Sequence, residues 1–506
     1  MPGGMISIPL GPLDHIPPRN YFKTVLYLPL KSGTGARQAY DHLHDGLHRT
    51  FLQAPWLSGK VHWQPRDAPG WRPGQLEIRY NELTADGPKP NQLKFNELRA
   101  APPYSEIKDA GFPADTFTDE ELLCAPFLAD VDSGADVFVA QANFIPGACL
   151  LGFTICHPAS DGTAMVTIID LWAKNCKKLH VPSQHGSIDF VKEGQPTLLP
   201  GSSDRGLPEK LWIKQKTGHE RHEIDASSFR LFGLSPPGES QGESMAASLP
   251  PQSPTVRASV NGSGETMHSS IFYISPSEFA SLQKECAEAS GSGELTGNDI
   301  VCALIWRALM KARAAAKVAA GTGDIARMAA ELEMTVDGRP MFNGMPGSYL
   351  GNVILISQPS IPVLTLVAAE TSVAAVAQVI RDSARTVNHE TAMDGYALLR
   401  EVSGYGEVKL RFTTIEGSSL LITSLVGFPL DQVSFGAGKD GEIFENDGKI
   451  ESFRPLMGGF NRLFRTCMVL PRTAQGGIEF VVSLFDDEME LLLEDDEFGR
   501  YALQLA

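Results

Sequence analysis

The sequence of 506 residues lacks the cysteine patterns that build disulfide frameworks and zinc sites. Its seven cysteines are odd in number and scattered between Cys124 and Cys467, and no two of them form a C-x-x-C pair. Scattered thiols are typical of a reducing compartment, whereas structural zinc sites and secreted scaffolds need closely spaced pairs. We therefore expect a cytoplasmic protein without a disulfide framework and without a metal site.

Long apolar runs and excess positive charge are also missing. No window approaches the roughly 20 apolar residues that span a bilayer, and the first residues carry no cationic segment, so no signal peptide is expected. The net charge is −17 at pH 7, which repels nucleic acid and anionic lipid. We expect neither as a partner, and an anionic ligand would need a local group of cations.

Length and patterning favour two domains of an α/β (α+β) class. A chain of this size exceeds one ordinary core, and predicted strands and helices alternate in both halves. Residues 234–265 are rich in Ser, Pro and Gly, which predicts a surface linker. The predicted division is an N-terminal domain at 1–195, a crossover with the linker at 196–268, and a C-terminal domain at 269–506.

One histidine lies at the end of a predicted buried strand. The segments "DVFVAQANFI" and "ACLLGFTIC" meet at Pro146-Gly147 and predict a β-hairpin. A helix is predicted directly afterwards in "DGTAMVTIIDLWAKNC", with Asp161 as its N-cap. His157 therefore occupies a short loop between a strand and a helix, and such loops often hold functional groups on a rigid scaffold.

His157, Asp161 and Gly162 form an H-x-x-x-D-G pattern. The ordinary pKa of histidine allows it to remove a proton and return it near neutral pH. Asp161 can cap the helix or pair with an arginine. From these residues alone, a catalytic base and a hydrogen-bonded structural histidine are equally supported.

Two other patterns lack the structural context that their chemistry requires. Gly238-Glu-Ser240-Gln-Gly242 matches a nucleophile elbow but lies in the predicted linker, without the strand and helix that expose the serine. Gly436-Ala-Gly438-Lys-Asp-Gly441 matches a dinucleotide fingerprint, but no helix is predicted after it. Neither a serine hydrolase nor a dinucleotide-binding fold is expected.

Six segments in order resemble the BAHD acyltransferases, in particular the fungal branch similar to trichothecene 3-O-acetyltransferase. They are "PLGPLDHIPP" with "GLHRTFLQAPWLSGKV", "HPASDG", "LTGNDIVCALIWRALMKAR", "VDGRPMFNGMPGSYLGNVI", "VGFPLDQVSFGAGK" and "VLPRTAQGGIEFVVSLFDDEM". The resemblance implies two similar chloramphenicol-acetyltransferase-like domains with a channel between them. It also implies an O-acyltransferase, an O-acetyltransferase for this branch, that acylates a hydroxyl group of a specialised metabolite such as a terpenoid, polyketide or alkaloid.

The resemblance assigns roles to particular residues. His157 is the general base in the channel, and Asp161 supports its loop. Thr423 and Ser424 face the channel as candidate oxyanion donors, and Thr296 and Arg313 are candidate CoA contacts. The architectural positions are Gly162, Arg339, Asn352, Phe435, Gly436 and Gly438. Acetyl-CoA, or another acyl-CoA, is the expected co-substrate, with no permanently bound cofactor, and a monomer is expected.

The sequence departs from the family pattern in one loop. The family's D-F-G-W-G segment is Ser434-Phe-Gly-Ala-Gly438 here, and Leu425 replaces a channel-side tryptophan. The missing aspartate leaves open how Arg339 is paired. Two alternatives also stay open: a condensation-type enzyme that uses carrier-bound thioesters, and a non-catalytic binding or regulatory relative.

Overall fold

The computed structural model describes residues 4–179, 198–216, 225–235, 267–290, 295–321, 325–408, 410–411, 417–436, 443–462, 464–472 and 476–505. Most of the predicted linker and Gly438 lie outside these residues. The nucleophile-elbow pattern lies wholly outside them, and the dinucleotide pattern lies outside them except for Gly436. The domain boundaries predicted within the crossover therefore stay predictions.

The N-terminal half forms eight strands and five helices among the described residues. These are β1 (Met5–Pro9), β2 (Tyr21–Pro29), α1 (Ala36–Gln53), β3 (Lys60–Trp63), β4 (Leu76–Asn81), β5 (Leu93–Glu97), α2 (Tyr104–Asp109), α3 (Asp119–Leu122), β6 (Ala135–Asp136), β7 (Phe138–Ile145), β8 (Ala148–Cys156), α4 (Gly162–Lys177) and α5 (Leu207–Lys216). The predicted hairpin is β7–β8, and Asp161 is the N-cap of α4, so both predictions are confirmed.

The C-terminal half forms nine strands and seven helices among the described residues. These are β9 (His268–Ile274), α6 (Pro276–Ser290), α7 (Gly297–Ala320), β10 (Ala329–Asp337), β11 (Ile354–Ser357), β12 (Ser360–Pro362), α8 (Val363–Val367), α9 (Val373–Thr386), α10 (His389–Arg400), β13 (Ser419–Ser424), β14 (Ser452–Pro455), β15 (Thr466–Val469), β16 (Ile478–Leu484), α11 (Asp486–Leu493), α12 (Asp496–Gly499) and β17 (Ala502–Gln504).

Two large sheets carry the architecture. The N-terminal sheet has the order β14-β2-β8-β7-β5, and the C-terminal sheet has the order β11-β10-β13-β15-β16-β9-β17 with β12 added beside β10. A smaller sheet, β1-β4-β3-β6, lies within the N-terminal half. Strand β14 comes from the C-terminal half but pairs with β2, so this strand joins the N-terminal sheet and ties the two halves together.

Helices α1 and α4 cover the N-terminal sheet at close range. The indole of Trp172 in α4 donates a hydrogen bond to the carbonyl oxygen of Leu43 in α1, at 2.8 Å. A Cβ on Gly46 would lie 2.2 Å from the Sγ of Cys176. Only glycine permits the two helices to approach this closely, since real Cβ contacts are much longer.

The acidic C-terminal tail forms two short helices and a strand. Helix α11 ends at Leu493, and a carboxylate oxygen of Asp495 accepts a hydrogen bond from the Phe498 amide as the cap of a new helix, α12. The chain then forms β17, which pairs with β9. The tail is divided at this point because Asp495 favours a helix start over helix continuation.

Candidate active site

His157 is held by backbone hydrogen bonds at the end of β8. Its amide donates to the carbonyl oxygen of Asn20 at 2.9 Å, and its own carbonyl accepts from the Ser160 amide at 3.1 Å. The residues His157–Ala159 form one short 3-10 turn, and Pro158 suits the first turn because it needs no amide partner there. The backbone that carries the imidazole is therefore held at a rigid strand end.

The two ring nitrogens of His157 have different surroundings. Nδ1 is buried and makes no hydrogen bond to another described residue, whereas Nε2 is open to a cavity that the ring lines. Burial lowers the pKa of His157 from its usual 6.5, and this outweighs the opposing effects of its own carbonyl, the Asp161 carboxylate and Asn352. The neutral ring can accept a proton at Nε2.

The lowered pKa of His157 predicts an unusual acidic limit for any base-dependent activity. The neutral ring predominates above its pKa, so kcat/KM is expected to stay level as the pH falls through 6.5 and to decline only below that value. A pH–rate profile of acyl transfer measures this limit. An acidic limb centred at or above 6.5 would contradict the assignment of His157 as a buried base.

Asp161 is committed to structure, because its carboxylate already accepts four hydrogen bonds. One oxygen accepts from the Ala164 amide at 2.9 Å, and the other from the Val353 amide at 2.8 Å. The guanidinium of Arg339 bridges both oxygens at 2.9 and 3.1 Å. Asp161 thus links α4 to the segment before β11 and orients the loop that carries His157.

Arg339 is fully paired even without the family's loop aspartate. Asp337 accepts from its guanidinium at 2.8 Å, and the carbonyl oxygens of Tyr349 and Gly351 accept at 2.7 and 2.9 Å. The loss of an aspartate at position 434 therefore leaves no uncompensated charge at Arg339, because Asp161 and Asp337 supply two carboxylates.

A second group of polar residues grips the same loop, and sequence reasoning identified only Asn352 in it. The Asn352 amide side chain donates to the carbonyl oxygens of His157 at 3.0 Å and Pro158 at 3.2 Å. Asp14 accepts from the Asn352 backbone and side chain, each at 3.0 Å. Arg205 pairs with Asp14 and donates to the Ala159 carbonyl at 2.6 Å. The sequence feature that could have identified this group is the aspartate within the otherwise mainly apolar segment "PLDHIPP".

Thr423 and Ser424 end strand β13 beside the same cavity, but their hydroxyls differ. The Ser424 hydroxyl donates to the side-chain oxygen of Asn298 in α7, at 2.6 Å. The Thr423 hydroxyl has no hydrogen-bond partner among the described residues, and Thr423 lines the cavity together with Leu421 and Leu425. The alternation of a strand places these three side chains on one face, so Thr423 has the free donor.

The two candidate CoA contacts lie in α7 but in different environments. Thr296 caps the helix: its hydroxyl accepts from the Asp299 amide at 3.2 Å and donates to the Asp299 carboxylate at 2.7 Å. Arg313 is 2% exposed and donates to the Ser419 carbonyl at 3.1 Å. The structure does not favour Arg313 as a phosphate contact, because a side chain this buried is part of the packing between α7 and β13.

The loop in which the sequence departs from the family pattern packs against helices α1 and α4. Phe435 is fully buried, packs edge-to-face on Trp172, and its carbonyl oxygen is 2.8 Å from Nε2 of His42. A Cβ on Gly436 would lie 2.2 Å from the carbonyl oxygen of Asp447, which explains the glycine. The described part of this loop, residues 434–436, supports helices α1 and α4 and contributes no residue to the cavity lining.

The cavity joins the two halves of the chain and has a volume of about 260 Å³. Its N-terminal wall includes Asn20, His157 and Gly162, where an added Cβ would touch the Phe428 ring at 3.6 Å. Its C-terminal wall includes Thr423 and Thr466. Apolar and aromatic side chains supply most of the lining: Phe22, Ile155, Met165, Phe232, Val353, Ile356, Leu421, Leu425, Phe428, Phe460, Phe464 and Met468.

The described residues hold neither a metal-binding group nor a membrane-spanning helix. They contain no group of three or more His, Cys, Asp or Glu side chains arranged to hold a metal ion. In the same ranges, every helix is too short or too polar to cross a membrane. All seven cysteines fall within the described ranges, and each has a free thiol.

Comparison with known families identifies this arrangement. The sequence model of the trichothecene 3-O-acetyltransferase-like N-terminal domain matches residues 21–176, and that of the Transferase family matches residues 233–498. The chain belongs to the Transferase family. This transferase carries His157 within the first match and Thr423 within the second, so the cavity is built from both matched regions. The resemblance to the fungal BAHD acyltransferases is confirmed.

The transferase matches relatives of different lengths and covers different shares of them. It is 27% identical over 514 residues to the isocyanide synthase-NRPS hybrid crmA of Aspergillus fumigatus, covering 98% of this chain but only 31% of the hybrid. It is 25% identical over 511 residues to the eremophilane O-acetyltransferase prx11 of Penicillium rubens, covering 97% of both. The chain thus spans less than a third of one relative and nearly all of another.

A solved structure confirms the expected fold. The complex of F. graminearum TRI101 with ethyl coenzyme A matches with a TM-score of 0.72 and 18% identity, over 99% of this chain and all of that one. The predicted α/β class with two similar domains is therefore confirmed, while the residue roles rest on the geometry of this chain.

Proposed function

We propose that the transferase is an acyl-CoA-dependent O-acetyltransferase that acylates a hydroxyl group of a small specialised metabolite such as a terpenoid, polyketide or alkaloid. The observation that carries this proposal is a rigidly held, neutral His157 whose Nε2 opens into an apolar cavity shared by both halves. A base in such a site can activate an alcohol while water is excluded.

The chemistry needs no covalent enzyme intermediate. The acceptor hydroxyl gives its proton to Nε2 of His157 as its oxygen attacks the thioester carbonyl of the donor. The tetrahedral intermediate carries its negative charge on the former carbonyl oxygen. When it collapses, the carbon–sulfur bond breaks, the ester remains on the acceptor, and the protonated His157 returns the proton to the CoA thiolate.

Thr423 is the proposed donor to the oxyanion. Its hydroxyl is unpaired in the free protein, whereas that of Ser424 already donates to Asn298. We expect Thr423→Val to lower kcat by about 10²-fold, as for other oxyanion donors, with little change in KM. Steady-state kinetics of Ser424→Ala provide the matched control. An equal or larger loss in Ser424→Ala would assign the role to Ser424 instead.

CoA is proposed to reach the cavity beside the start of α7. Asn298 in its first turn contacts Ser424 next to Thr423, so this helix end adjoins the reacting centre. Thr296 and the free backbone N–H groups of the first turn can meet a phosphate or amide of the co-substrate. The fold is that of TRI101, which was solved with ethyl coenzyme A bound. No permanently bound cofactor is needed for this chemistry.

The apolar lining supports a compact, largely hydrocarbon acceptor. Relatives of the same length include an eremophilane O-acetyltransferase, which favours an alcohol of that general kind over a sugar or an amino acid. The site is complete within one chain, which supports a monomer, and the free thiols support a cytoplasmic location.

A carrier-bound donor is the second candidate. The observation that favours it is the match to a hybrid that includes a peptide synthetase, in which the matched region is part of a longer chain. Acetyl-CoA remains the proposed donor, because a relative that this chain covers almost completely is named as an O-acetyltransferase.

Acyl transfer itself tests the proposal. Purified protein is incubated with acetyl-CoA and a fractionated pool of hydroxylated metabolites, and both free CoA thiol and products heavier by one acetyl group are followed. Acceptor-dependent thiol release with a matching ester is expected. Transfer only from an acetylated carrier protein would favour the second candidate, and no transfer from either donor would favour a non-catalytic relative.

A further inference from the structure

Asn20 and His157 are joined through their backbones at one wall of the cavity. Tyr21, the first residue of β2, pairs with Cys156, the last residue of β8, and just beyond this pair the His157 amide donates a 2.9 Å hydrogen bond to the carbonyl oxygen of Asn20. Both residues line the cavity. Asn20 is therefore in backbone contact with the proposed base at the same part of the site.

The carboxamide of Asn20 is buried and unpartnered. Asn20 is 1% exposed, and neither its side-chain oxygen nor its side-chain nitrogen has a hydrogen-bond partner among the described residues. A buried amide without partners costs free energy, and most buried polar groups in proteins are paired. The contrast within the same sheet is Asn143, whose oxygen and nitrogen are paired with Gln141, Leu122 and Leu150.

We propose that Asn20 is a specificity-determining residue that hydrogen-bonds a second oxygen of the acceptor. This inference rests on the proposed O-acetyltransferase activity. The carboxamide can donate to a carbonyl or accept from a hydroxyl, so the acceptor class is an apolar skeleton with a keto-alcohol or diol. Because Asn20 and His157 are in backbone contact and line the same cavity, the second oxygen is expected close to the reacting carbinol.

The remainder of the cavity explains why Asn20 would be decisive. Its other walls are mainly aromatic and aliphatic, and few polar groups could orient a hydrocarbon skeleton. Among the described residues, three cavity-lining side chains have a buried polar atom without a hydrogen-bond partner: Asn20, His157 and Thr466. Thr466 lies on the C-terminal sheet. A site built to pair a substrate oxygen rejects analogues that lack it, because its own polar group is then left unpaired.

Protein stability provides the first test and needs no acceptor. Asn20→Leu keeps the number and branching of the side-chain heavy atoms and removes an unpaired amide, so its thermal midpoint is expected to equal or exceed that of the wild type. Asn143→Leu, which breaks paired hydrogen bonds, is expected to lower the midpoint clearly. A loss in Asn20→Leu as large as that in Asn143→Leu would show that Asn20 is structural and would overturn the proposal.

Kinetics with a matched pair of acceptors provide the second test. With decalinol and hydroxydecalone as probes, or the acceptor found in the product assay and its deoxygenated analogue, the wild type is expected to favour the compound with two oxygens by about tenfold in kcat/KM. Asn20→Leu should abolish this preference, so that the ratio of kcat/KM for the two compounds falls to about one.

The outcomes separate this inference from the proposed activity. Equal turnover of both probes by the wild type, or a preference that survives in Asn20→Leu but disappears in Thr466→Val, would overturn the role of Asn20 while acetyl transfer stands. Absence of transfer to any alcohol would overturn the proposed activity, and the thermal comparison would then decide whether Asn20 is a structural group.

Discussion

His157→Ala is expected to lower kcat/KM for acyl transfer by about 10²- to 10⁴-fold, the usual contribution of a general base. Nε2 of His157 opens into the cavity. The two carboxylates in the described lining, Asp161 and Asp337, are both paired with Arg339, and Asp161 also accepts from two backbone amides. Release of CoA thiol at saturating acetyl-CoA measures the loss.

The fold should survive this substitution. The loop is held through the backbone carbonyls of His157, Pro158 and Ala159, and alanine preserves all of these contacts. His44→Ala is a suitable control, since His44 contacts the Pro90 carbonyl away from the cavity lining. Activity that persists in His157→Ala, with an unchanged thermal midpoint, would remove His157 from the mechanism.

Asp161→Ala is expected to cost about 3 to 5 kcal/mol of stability, the usual effect of removing one partner of a buried ion pair. The buried Arg339 would keep only one carboxylate partner, Asp337. The backbone amides of Val353 and Ala164 would lose their hydrogen-bond acceptor. The shift of the urea unfolding midpoint measures this cost. Activity should fall as well, because the loop of His157 loses its support.

Asp337→Ala is the matched comparison. Asp337 contacts the same guanidinium at 2.8 Å, but its side chain is 38% exposed, so water can replace it and the expected cost is below about 1 kcal/mol. Equal costs for the two variants would mean that burial of the pair does not govern its contribution. A stable and active Asp161→Ala variant would show that the loop is held without this ion pair.

Much of the local structure around the site followed from sequence patterns. The hairpin β7–β8 was indicated by two apolar strands and Pro146-Gly147, and the start of α4 was indicated by Asp161 as a capping residue. Thr296 is likewise the N-cap of α7, which begins at the next residue. These features depend on contacts within a few residues, so a local pattern is sufficient to predict them.

Long-range partners were not predictable in the same way. His42 and His48 lie off the apolar stripe of α1, yet both are buried, and His42 contacts the carbonyl of Phe435. Arg313 was a candidate CoA contact and is instead packed against β13. In each case the helical periodicity describes one face, whereas the neighbour that covers another face comes from a distant part of the chain.

The sequence by itself determined the class of fold, the family and the position of His157 at a strand end, because these depend on periodicity, capping and ordered segments. Only the tertiary structure decided which groups act on that histidine. Asp14 and Asn352, 338 positions apart, meet behind its loop, and the carbonyl of Asn20 accepts a hydrogen bond from its amide. Such contacts join segments that are distant along the chain, so no pattern within one segment can encode which residues they join.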